Sequence, residues 1–332
     1  MSEVNHNSLS LIRLLAALQV ILFHLINNFQ VSIYSCLSTS LFYFRGVPIF
    51  FIISGFLIWF SMERSRSYDE YIKKRFWRIY PELWMAVLIE LITIVVLYNK
   101  ANLVHLGLFA IAQGTIFQFW TPSSLREYGC GTPNGALWTI SVMIQFYIIA
   151  WLIRKMLHNK NWIYWIASFA GLLITSIVGQ IVVDKTGVEI VSKLYGQTII
   201  KYCWLFFIGC FIAEFKDKTL PLLTRFWYLF LVGGVVPYMT GFDIYAGYFV
   251  LWSVLMVSGL IGFAYRFAGL EIKVDISYGL FLYHMIIMNA FIELGLSGCW
   301  MYALILVILT ILFAWGSCIT IGKWALIKRT NI

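Results

Sequence analysis

Apolar stretches of about 18 to 24 residues recur along the whole chain, close to the roughly 20 residues a helix needs to cross a bilayer. Short polar segments separate them. Spans are predicted at 9–29, 44–62, 78–98, 137–157, 162–183, 197–215, 222–240, 244–265, 274–294 and 299–322. The pattern therefore predicts an all-α, polytopic membrane helix bundle of about ten transmembrane helices, one membrane-embedded domain over residues 1–332 with no soluble domain. The first apolar run lacks a basic leader and a small-residue cleavage site, so it reads as a retained span.

The stretch 102–120, NLVHLGLFAIAQGTIFQFW, is apolar too, but Gly107 and Gly114 break it and it carries two glutamines. Charge decides its status. Ten spans with an inner N-terminus put 18 of the 24 Lys and Arg on the cytoplasmic side, as the positive-inside rule requires. An eleventh span would invert everything after it. The stretch is therefore expected to be re-entrant or interfacial on the outer face, with both termini cytoplasmic.

Hydrophobic residues make up 61% of the chain and charged residues 12%, about half the usual share of soluble domains. The net charge of +9 would suit nucleic acid in a soluble protein, but here the loop asymmetry accounts for it, and no nucleic-acid partner is expected. Cys36, Cys130 and Cys299 fall on or beside outer segments; a Cys36–Cys130 disulfide and unpaired structural cysteines are the two readings. No P-loop, dinucleotide glycine pattern, internal repeat or metal-ligand cluster is present in the sequence, which argues against a nucleotide-driven pump. No metal is expected.

Four stretches carry candidate chemistry. In SLSLIRLLAALQVILFHLINN, Arg13 and His24 are eleven residues apart, three helical turns plus about 20°, so they share a face about 16 Å apart in depth. An ionisable residue inside lipid is costly and marks a functional candidate, although a snorkelling anchor explains Arg13 and a hydrogen-bonded core residue explains His24. In residues 46–84, a span with Ser54-Gly55 leads to a basic loop in which Arg75 and Arg78 lie on adjacent turns. Such a pair suits phosphate through bidentate guanidinium bonds, and equally reads as ordinary positive-inside charge. In ISYGLFLYHMIIM, Ser277 and His284 share a face. In GALWTISVMIQFYII, Trp138, Ser141 and Gln145 line one stripe, where interhelical hydrogen bonding is the alternative.

Taken in order, these stretches closely resemble the integral-membrane acyltransferase family 3, over essentially the whole chain. The family's Arg, ten residues, His pattern appears as Arg13 and His24. Its FFxxSGF segment appears as Phe50, Phe51, Ser54, Gly55 and Phe56, and its RxxRIxP element as Arg75, Arg78, Ile79 and Pro81. Its late SYxxYLxH is matched by Ser277, Tyr278, Leu282 and His284, with Phe281 replacing the aromatic Tyr. One departure stands out: many relatives carry a glutamate where this chain has Met143, while Leu137, Trp138, Ser141, Val142, Gln145, Phe146 and Tyr147 agree. Glu82 and Glu90 are candidate replacements.

The resemblance implies an O-acetyltransferase of bacterial envelope glycans such as O-antigen or exopolysaccharide, in the cytoplasmic (inner) membrane. It implies acetyl-CoA as donor substrate, no bound cofactor, and a lipid-linked or surface polysaccharide as acceptor, with membrane lipids around it. Oligomeric state is left open. His24 and His284 would be catalytic, with Arg13, Arg75 and Arg78 at the donor phosphates. Ser54, Ser277, Tyr278, Trp138, Gln145 and Glu82 would support them. The aromatic content of 18% offers stacking platforms for sugar rings, with Trp120 and Tyr128 as examples, although interfacial anchoring explains most such residues. Two other classes fit the residues: a flippase for a lipid-linked glycan, and a catalytically impaired relative that binds glycan.

Overall fold

The computed structural model describes residues 7–32, 43–240 and 249–332. Cys36 and the first residues of the span predicted at 244–265 lie outside them. In chain order the helices are α1 Leu9–Asn27, α2 Gly46–Glu63, α3 Tyr68–Leu97, α4 Leu103–Gln113, α5 Trp138–Leu157, α6 Trp162–Thr186, α7 Glu189–Tyr195, α8 Ile199–Glu214, α9 Lys216–Thr240, α10 Val250–Arg266, α11 Ser277–Glu293, α12 Trp300–Ser317 and α13 Lys323–Thr330.

Among the described residues, eight helices or merged helix pairs are long and apolar enough to cross a membrane. Each of the ten predicted spans is occupied by helix. α10 and α11, of 17 residues each, about 25 Å at 1.5 Å per residue, fall short of that length, and α8, of 16 residues, reaches it only together with α7. The 102–120 stretch forms α4, whose 11 residues reach only about 16 Å, too short to cross.

The largest difference from the sequence reading is in α3. It begins at Tyr68, ten residues before the predicted span, and runs through Pro81. A capping box explains the early start: Ser67 Oγ accepts from the Glu70 amide at 3.2 Å, while Glu70 Oε2 accepts from the Arg66 amide at 3.0 Å.

The chain divides into two compact units. The first comprises residues 1–16, 45–71 and 142–273. Its centre is the pair α2 and α8, where backbones meet closely: a Cβ on Gly55 would overlap the Phe206 carbonyl, and one on Gly209 would overlap the Ile52 carbonyl. Glycine at both positions gives two apolar helices van der Waals contact that larger residues would forbid. At the C-terminal end of this pair Glu214 accepts from Trp59 Nε1 at 3.0 Å and from the Asn159 amide at 2.6 Å. Glu63 meets Arg154 at 3.8 Å and Lys216 at 3.6 Å. On α6 the outward residues are apolar, Ile163, Ile166, Ile174 and Val178 among them, as a lipid-facing helix requires.

The second unit comprises residues 17–44, 72–141 and 274–332. Here α11 packs on α12, and a π-helical turn, Cys318–Gly322, joins α12 to α13. The loop before α5 is tied to α11 through polar side chains. Asn134 Nδ2 donates to the Leu282 carbonyl at 3.0 Å, and Asn289 donates to the Thr132 and Pro133 carbonyls while accepting from the Cys130 amide at 2.8 Å.

Candidate active site

His24 lies near the C-terminal end of α1 and His284 in the middle of α11, both in the second unit, and their ring centroids stand 5.3 Å apart. Residues 260 positions apart in sequence are thus brought side by side. His284 is fully buried and His24 half-buried.

The hydrogen bonds select the tautomers. His284 Nδ1 lies 3.0 Å from the Leu280 carbonyl, one turn earlier on the same helix, and a carbonyl only accepts. Nδ1 therefore carries the proton, and the Nε2 of the neutral ring keeps its lone pair. That nitrogen is buried and has no hydrogen-bond partner among the described residues. His24 Nδ1 is 3.1 Å from the Asn28 side-chain Nδ2, an amide donor as placed, so His24 presents Nε2–H. One ring offers a base and its neighbour a donor, the pairing that proton transfer to and from a hydroxyl uses.

Seven residues before His284, about 10 Å back along α11, a polar cluster begins. Ser277 Oγ donates to Asp275 Oδ1 at 2.6 Å, and Tyr278 OH donates to the Ile79 carbonyl at 3.0 Å, tying α11 to α3. The Arg78 guanidinium lies 5.5 Å from the Tyr278 ring centroid. One turn further along α3, Glu82 Oε2 accepts from Ser317 Oγ at 3.2 Å. The π turn brings Gly322 against this carboxylate, where a Cβ would stand 3.1 Å from Oε1. Arg75 is half-buried one turn before Arg78.

The other predicted residues are placed differently. Arg13 is half-buried on α1, which is unbroken from Leu9 to Asn27, so the eleven-residue spacing to His24 stays on one helix. Ser54 is half-buried on α2 in the first unit, and its neighbour Gly55 serves helix contact. Gln145 joins α5 to the start of α8 by donating to the Gln197 carbonyl at 2.8 Å and accepting from the Ile199 amide at 3.0 Å. Trp138 opens α5 and is half-buried; Ser141 Oγ, on its stripe, lies within hydrogen-bond distance of the Ile116 carbonyl, 2.6 Å, and of Gln118 Oε1, 2.5 Å, and its one proton serves either. Glu90 is buried, and neither carboxylate oxygen has a hydrogen-bond partner among the described residues. Tyr128 is a core residue and not an open platform: it is 1% exposed and packs 5.6 Å from Tyr98.

Sequence reasoning missed Asn28, Asp275 and Ser317. Asn28 had a signal, four residues after His24 and so one turn above it. Ser317 had none, because its partner Glu82 is 235 positions away.

Residues 6–319 match the family described as acyltransferase domain. The chain is 25% identical to Nodulation protein 10 of Rhizobium leguminosarum bv. viciae over 368 aligned residues, covering 100% of this chain and 96% of that protein. No solved structure matches. With the family match running nearly from end to end, the chain belongs to the integral-membrane acyltransferase family 3 and is an acyltransferase.

Proposed function

We propose that the protein moves an acetyl group from cytoplasmic acetyl-CoA to a hydroxyl of an envelope polysaccharide such as O-antigen or exopolysaccharide, in the bacterial cytoplasmic membrane with both termini inside. The observation that carries the chemistry is the His24–His284 pair, 5.3 Å between ring centroids.

In this reading His284 Nε2 takes the proton of the acceptor hydroxyl as its oxygen attacks the thioester carbonyl. The C–O bond forms, the C–S bond breaks, and the sulfur leaves as the CoA thiol after receiving a proton. His24, through Nε2–H, steadies the developing negative charge on the carbonyl oxygen or protonates the sulfur. The donor's phosphates are assigned to Arg75 and Arg78, whose planar forks suit phosphate oxygens, and Arg13 to the donor end of α1. The Tyr278–Ile79 bond supports this reading by linking the helix of Arg78 to the helix of His284.

The test is proton NMR of surface polysaccharide from a host with and without the gene. An O-acetyl methyl signal that disappears on mild base is expected only with the gene. Its absence, with the protein present in the membrane, removes the acetyl–polysaccharide assignment.

A further inference from the structure

The first unit contains a cavity of about 330 Å³ outside the candidate active site. It lies among the first turns of α2, α8 and α10, whose starts at Gly46, Ile199 and Val250 are gathered at one end of the unit. Its lining includes two cations, Arg45 and Lys201, the rings of Tyr202, Phe249 and Trp252, the Ser253 hydroxyl, and no acidic residue. We propose that this cavity binds the phosphate group of an anionic membrane lipid.

The Arg45 guanidinium carbon lies over the Phe249 ring, 3.6 Å from its centroid. This contact holds the group while phosphate recognition uses the in-plane N–H edge. Phe249 reaches this position through a left-handed backbone with φ of +48°, a conformation that bulky residues seldom take. The Lys201 ammonium stands 5.8 Å and 5.9 Å from the Tyr195 and Tyr202 ring centroids. Asp184, whose charge reaches Lys201, is bonded by Gln180 Nε2 at 2.7 Å. Three helix starts add positive potential at the same end, since the helix dipole favours anions there.

Two further features select a lipid over a free anion. Next to the lining residues in sequence, Ile200 is 46% exposed and Leu251 41% exposed, which sets apolar surface beside the cations for acyl or polyprenyl chains. A cavity of this size, beside the first turns of three apolar helices and walled by aromatic rings, accommodates a headgroup and not a whole glycan. The phosphate has two sources, a polyprenyl-phosphate carrier or a bulk anionic phospholipid.

The experiment is native mass spectrometry of the full chain in detergent, titrated with short-chain phosphatidylglycerol, phosphatidylcholine or farnesyl diphosphate. The anionic lipids are expected to bind at least about tenfold tighter than phosphatidylcholine. Arg45→Gln and Lys201→Gln should each weaken them by about tenfold or more, and Lys100→Gln, exposed in the second unit, should change nothing. Arg45→Lys, which keeps the charge and loses the fork, should fall between. Preference for the diphosphate identifies a carrier, and parity with phosphatidylglycerol identifies a phospholipid headgroup. Equal binding of phosphatidylcholine, or wild-type affinity in the glutamine variants, overturns the proposal. Binding is the readout, so its failure leaves acyl transfer standing, and a failed acetylation assay leaves this cavity standing.

Discussion

At the scale of single residues, the two histidines differ in what holds them. The Leu280 carbonyl fixes the His284 ring from its own helix, so its tautomer follows from the backbone, whereas His24 depends on the Asn28 side chain. His24→Ala and His284→Ala should each lower acyl transfer by about 10² to 10⁴, the usual cost of losing a general acid or base, while protein level and elution from a sizing column stay normal. Full acetylation by either variant would remove that histidine from the mechanism. Asn28→Ala should cost less, about tenfold in kcat with an unchanged KM for acetyl-CoA, because it orients a ring without touching the reacting atoms. Arg78→Ala should act on the other parameter and raise the KM for acetyl-CoA more than it lowers kcat; Arg78→Lys should restore only part of this, since an ammonium lacks the planar fork. The sequence singled out His24 and His284 because ionisable groups are expensive in lipid, and Arg78 because its spacing to Arg75 suits phosphate. It did not single out Ser317, an ordinary small residue until the chain brings it to Glu82.

At the scale of elements, helix positions were legible from hydropathy and helix boundaries were not. The α3 start is local chemistry, Ser67 and Glu70 closing a cap, and it lies in polar sequence that a span search passes over. The role of Gly55 is settled by contact. The Phe206 carbonyl stands where a Cβ on Gly55 would lie, so the missing side chain serves helix packing. Gly209→Val should therefore push α2 and α8 apart and cost about 1–3 kcal/mol or more, seen as a lower midpoint of thermal aggregation in detergent. Gly171→Ala, on α6 with nothing within 4 Å of the added carbon, should leave the midpoint unchanged or raise it slightly. Equal effects from the two substitutions would contradict the close α2–α8 contact.

At the scale of the whole molecule, the distribution of Lys and Arg predicts an orientation that labelling can test. Lys100 follows α3 and Lys328 lies in α13, both exposed. In a chain whose native cysteines have been replaced, Lys100→Cys should react with a membrane-impermeant maleimide on intact spheroplasts. Lys328→Cys should react only after permeabilisation. The reverse pattern would invert the topology and place the Arg75–Arg78 end of α3 away from cytoplasmic acetyl-CoA.

The sequence by itself determined the all-helical membrane class, the helical character of the predicted spans and the family. Each follows from local composition or from the order of motifs, and neither needs a neighbour distant in the chain. Only the tertiary structure decided that His24 faces His284, that Tyr278 ties α11 to α3, that Gln145 joins α5 to the start of α8, and that Arg45 and Lys201 share a cavity. Hydropathy has a period and a length but no partner. Which buried faces meet is set by close packing and by polar groups that must be satisfied where no water reaches them.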